Sequence, residues 1–130
     1  MNKTSLTTSR QILGFAAVVE VGTGLALMID PAIVAALLVG AEVSGAGALL
    51  GRCFGIALFA LGLACWPSRQ RAENSAPALP AMLTYNVLIA LYLAYLGTAT
   101  HWRGLLLWPA VALHAVVALL LVWTWRDQRR

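Results

Sequence analysis

Few side chains in this sequence are equipped for chemistry, and those that are sit inside apolar runs: Glu20, Thr23, Arg52, Asn86, Tyr92 and His114. An ionised Glu or Arg at the centre of a lone membrane helix costs on the order of 2.5 to 3.5 kcal/mol on insertion scales, so such residues face a bundle interior or a wet cavity and find partners there. The expected arrangement is an ion pair between Glu20 and Arg52. His114 would hydrogen-bond to either of them or to Tyr92, and Asn86 would bond across to a neighbouring helix. Thr23 lies three residues from Glu20 and shares its helical face. Arg52 has a second choice, snorkelling to the headgroups to pair with Glu42 or Asp30. Paired, Glu20 is structural; unpaired, Glu20 and His114 are candidate groups for holding a ligand or a proton.

Other chemistries lack their residues. His101 and His114 are separated by roughly 19 Å along a helix axis, so one metal or haem could not easily use both within a chain, and there is no ExxH pattern or Cys/His cluster. Cys53 and Cys65 would lie roughly 18 Å apart on one helix and cannot bridge each other. No nucleophile elbow and no phosphate-binding glycine loop is present. No catalytic residue, metal site or cofactor is therefore assigned, and the chain reads more as a non-enzyme than as an enzyme.

The elements that must position these residues follow from composition. The chain has 130 residues, 61% hydrophobic and only 11% charged, with a mean hydropathy of +0.81. That is far too apolar for an ordinary soluble domain. Spans of about 20 apolar residues cross a hydrocarbon core of about 30 Å. Four stretches qualify, at about 11–29, 45–66, 79–98 and 105–125. A shorter one at about 31–40 cannot span, and Asp30-Pro31 ahead of it can cap and open a separate helix. The expected fold is all-α: one integral membrane domain over 1–130, a four-transmembrane-helix bundle with one extra short helix, either interfacial or re-entrant. Residues 1–10 read as a polar tail and Pro67 to Pro80 as an exposed loop. The apolar run after Arg10 is longer than a signal-peptide core and contains Glu20, so it is expected to be a retained helix.

Gly47, Gly51, Gly55 and Gly62 recur on one side of the second span, a face on which neighbouring backbones can approach closely. Orientation comes from the basic residues. Lys3, Arg10, Arg69, Arg71, Arg126, Arg129 and Arg130 fall on one side, and only Arg52 and Arg103 toward the other. Both termini are thus expected in the cytoplasm, with the protein in a bacterial inner membrane. Trp66, Trp123 and Trp125 mark one interface and Trp102 and Trp108 the other. The net charge of +4 serves topology and headgroup contact rather than nucleic acid. At 1.5 Å per residue, Glu20 and His114 lie roughly 13 Å below the outer face and Arg52 and Tyr92 roughly 9 Å, with Asn86 deeper.

The layout, and LLGRCFGIALFALGL in particular, resembles the DoxX-like group of small bacterial four-helix membrane proteins. That resemblance implies architecture and carries over no catalytic residue. VVEVGTGLALM around Glu20 is similar to the first helix of the small multidrug-resistance transporters, which implies a membrane-embedded carboxyl that exchanges protons. An Arg52 partner would neutralise that carboxyl and suppress exchange near neutral pH. The first expectation is accordingly a non-enzymatic binding or accessory subunit with a buried polar cluster. The alternative is proton-coupled transport of a small or cationic solute by a dimer. The bilayer is the expected partner, with a second copy or a larger membrane complex beside it.

Overall fold

The protein is described by a computed structural model, which defines the backbone of residues 3–67 and 78–128 and the side chains of 7–67 and 78–127. The chain forms five helices: α1 (Lys3–Ile29), α2 (Pro31–Val39), α3 (Ala46–Ala64), α4 (Ala78–Ala99) and α5 (Leu107–Gln128). Four are long and apolar enough to cross a membrane, over Thr7–Ile29, Ala46–Ala64, Ala78–Ala99 and Leu107–Asp127. No strand occurs among the described residues. The all-α, four-span architecture with one short extra helix is the one expected from the sequence.

Two boundaries differ from the sequence reading. The tail at residues 1–10 is helical from Lys3 onward, an extension of α1 by about two turns. The helix already holds its hydrogen-bond ladder when it leaves the apolar run, and continuing it satisfies backbone groups that a coil would expose in the interface. The expected loop over Pro67 to Pro80 is shorter, because α4 starts at Ala78 and takes Pro80 into its first turn, where a missing N–H costs nothing. Arg69, Arg71 and Glu73 lie outside the described residues, as do Arg129 and Arg130.

Asp30 ends α1 and begins α2. Its Oδ1 accepts from the backbone N–H groups of Ala32 and Ile33, each at 3.1 Å, and Pro31 fills the first helical position. Gly40 closes α2 in the left-handed region at φ 73°, where a side chain would be strained. The carbonyls at this end of α2 are then taken up by the α4–α5 turn. The Arg103 N–H donates to Val39 O at 3.0 Å and the Leu106 N–H to Leu37 O at 2.8 Å. Gly104 packs directly on the Leu38 backbone and leaves no room for a Cβ. The short helix is therefore tucked against the bundle: Pro31 is buried beside Gly51 of α3, and the far end is tied to the turn that opens α5.

The long helices pack as two pairs, α1 with α3 and α4 with α5. In the first pair the backbones touch. A Cβ on Gly24 would lie 2.7 Å from Gly55 O and from Phe59 N, one on Gly55 2.7 Å from Gly24 O, and one on Gly62 2.8 Å from Ala17 O. The pairs meet through α1 on α5, with a lighter contact of α1 on α4. Leu13, Ala16, Ala17, Cys65, Met82, Val117 and Leu121 form the apolar core where the pairs join, at the end of the bundle where α1 begins. All five tryptophans are exposed near helix ends, suited to the amphipathic interface.

Candidate functional site

Directly above that core, four polar side chains from three helices converge. Glu20 stands one turn along α1 from Ala16 and Ala17, Asn86 one turn along α4 from Met82, and His114 one turn before Val117 and Ala118 on α5. Tyr85 precedes Asn86. Each polar residue thus rests on the apolar plug, which seals the cluster from the α1 N-terminal end.

The geometry at the cluster is specific. Asn86, 1% exposed, donates from Nδ2 to the Met82 carbonyl at 2.9 Å, bonding back along its own helix. Its Oδ1 lies 2.9 Å from His114 Nδ1. The His114 ring meets the Tyr85 ring edge to face, with centroids 5.9 Å apart and planes at 82°. Glu20 Oε1 stands 4.0 Å from the same Nδ1, and this is the only acid–base approach among the described residues. Glu20 is 1% exposed, and neither of its carboxyl oxygens has a hydrogen-bond partner among the described residues. The Tyr85 phenol of α4 lies close enough to the Glu20 carboxyl to interact with it.

The expected Glu20–Arg52 pair does not form. Arg52 is exposed on α3 and engages neither Glu20 nor Asp30 nor Glu42 in an ion pair. The reason is rotational. The face of α3 turned to α1 is the one carrying Gly55, Leu58 and Gly62, all buried, and Arg52 projects to the side of it. Depth alone makes the pair look available; azimuth removes it. Tyr92 is likewise outside the cluster, 57% exposed two turns along α4 from Tyr85. Thr23 is half-buried on α1. Of the glycines read as packing residues, Gly55 and Gly62 abut α1, Gly51 abuts Pro31, and Gly47 abuts Val43 in the preceding loop.

Tyr85 is the functional-type residue that depth does not single out. Tyr85 and Tyr92 are seven residues apart and occupy nearly the same helix face, so periodicity alone cannot choose between them. The available signal is adjacency to Asn86, the one amide in the span. Among the described residues, no three His, Cys, Asp or Glu side chains gather as a metal-type ligand set. A buried carboxyl, an imidazole and a phenol at one spot can accept, hold or hand on a proton, and can take a donor-bearing group against the carboxyl. No protein-family model, curated protein or solved structure matches the chain.

Proposed function

We propose that Glu20 is a proton-exchanging group inside the bilayer and that the protein is a proton-coupled carrier of a small or cationic solute, working as a dimer. The observation that carries this is the Glu20 carboxyl, buried at 1% exposure with no hydrogen bond made to either oxygen among the described residues. A permanently ionised carboxylate in that setting is costly, and uptake of a proton or a cation relieves the cost. The accessory-subunit reading leans on a Glu20 neutralised by Arg52, and without that pair it loses its support. The site's position supports the carrier reading, because it lies where the α1/α3 and α4/α5 pairs meet, the seam along which two rigid pairs can part. The resemblance to DoxX-like proteins supports the architecture only. The basic residues at the terminal end support a cytoplasmic location for both termini, in a bacterial cell.

The test is proton release. Purified protein in weakly buffered detergent, with a pH-indicating dye, is challenged with millimolar guanidinium, methylammonium, tetramethylammonium and choline. Wild type is expected to release protons with at least one of them and Glu20→Gln with none. Equal traces from the two proteins across the whole panel would overturn the assignment.

A further inference from the structure

The carrier reading rests on Glu20, and His114 beside it is a second group able to exchange a proton, at one of two ring nitrogens. Asn86 decides which. Its amide has two distinguishable ends, one a donor and the other an acceptor. The end facing Met82 O meets a carbonyl, which only accepts, so it must be the NH2 group; the 2.9 Å contact fixes Nδ2 there. The end facing His114 is then Oδ1, again an acceptor, at 2.9 Å from Nδ1. The reverse orientation would set two oxygens against each other. With an acceptor on Nδ1, that nitrogen must carry the hydrogen.

We infer that Asn86 is a positioning residue that holds His114 in the Nδ1–H form, so that the ring gives and takes its exchangeable proton at Nε2. The inference rests on the carrier reading for its purpose but not for its geometry. The charged and titratable groups facing the ring are Glu20 from α1 and Tyr85 from α4, with Cys65 in the core below. The Nδ1–H donates to Asn86 Oδ1 at 2.9 Å, and Glu20 Oε1 stands 4.0 Å from the same nitrogen, beyond hydrogen-bond reach. When Nε2 is protonated as well, the imidazolium charge stands beside the carboxylate. When Nε2 is bare, Nδ1 keeps its hydrogen on Asn86 Oδ1 and cannot accept the Glu20 proton. The two groups therefore exchange their protons through separate atoms. Free imidazole side chains in water favour hydrogen on Nε2, so the form imposed here is the opposite of the default.

The experiment is nitrogen NMR on protein labelled at histidine nitrogen, in detergent at a pH where the ring is neutral. His101, exposed in the α4–α5 turn, serves as the internal reference and is assigned by its loss in His101→Gln. Wild type is expected to show His114 with hydrogen on Nδ1 and His101 in the water-like form. Asn86→Leu is expected to return His114 to the Nε2–H form or to a mixture, and Asn86→Asp, which keeps an acceptor, to retain Nδ1–H. A wild-type His114 with its hydrogen on Nε2 overturns the inference without need of any variant that might fail to fold. So does an Asn86→Leu protein that still shows Nδ1–H, since Asn86 would then be only a strut between α4 and α5. The spectrum of Glu20→Gln separates this from the carrier reading: Nδ1–H retained there, alongside an unchanged proton-release trace, sinks the carrier and leaves the role of Asn86 standing.

Discussion

At the residue scale, the cluster turns on which polar side chains find partners. Glu20, Asn86 and His114 are legible in the sequence because an ionisable or amide group inside a span of apolar residues must be turned inward. Arg52 falls under the same rule, yet its long stem lets it live on the outside of α3, and nothing in its neighbours' types reveals its azimuth. Because Arg52 makes no ion pair among the described residues, Arg52→Gln is expected to change stability by no more than about 0.5 kcal/mol. Glu20→Gln is expected to leave the thermal midpoint in detergent unchanged or raised, since it removes an unpaired buried acid. The double variant should equal the sum of the singles. A loss of about 3 to 5 kcal/mol in either single variant, recovered in the double, is the signature of a buried pair and contradicts the geometry. Asn86→Leu removes one interhelical bond and should cost about 0.6 to 1.7 kcal/mol, read by the same melts.

At the element scale, the α1/α3 seam does most of the positioning. It orients α1 so that Glu20, one turn before Gly24, lies at the edge of the α3-facing side and reaches His114 of α5. The glycine spacing on the second span makes a close seam expected, whereas nothing in the stretch around Glu20 marks Gly24 as its counterpart on α1. A pattern on one helix does not name the residue it will meet on another. Gly55→Ala and Gly24→Ala each drive a Cβ to within 2.7 Å of backbone, so each should destabilise by about 1 to 3 kcal/mol in denaturant or thermal unfolding. Gly22, on the same helix as Gly24, has nothing within 4 Å of the point a Cβ would occupy, and Gly22→Ala should be neutral or stabilising by up to about 1 kcal/mol. Equal losses at Gly22 and Gly55 would mean that the seam is elsewhere. The placement of α2 is not legible, because its docking depends on the Leu37 and Val39 carbonyls meeting backbone N–H groups of the distant α4–α5 turn. Backbone partners leave no trace in residue type.

At the scale of the whole molecule, the four spans bring the start of α1, the end of α3, the start of α4 and the end of α5 to one end, and α2 with the α4–α5 turn to the other. The basic residues predict that the first end is cytoplasmic. Reporter fusions at the two termini should give the same cytoplasmic signal, and a cysteine placed at exposed Ser44 should be labelled from outside intact cells. Labelling of Ser44→Cys only after lysis would invert the orientation. The apolar plug of Leu13, Met82, Val117 and Leu121 closes the polar cluster from the terminal end, while α2 bridges the two helix pairs at the other. The molecule is thus two helix pairs clasped at one end around a buried acid.

The protonation of that acid, on which the proposed chemistry depends, is directly visible in the infrared. The difference spectrum between low and high pH is recorded for wild type and for Glu20→Gln in the same detergent. A protonated carboxyl stretch that appears on acidification in wild type and vanishes in Glu20→Gln is the predicted result. A wild-type difference spectrum identical to that of Glu20→Gln across the pH range would mean that Glu20 does not change its protonation there, and would contradict it.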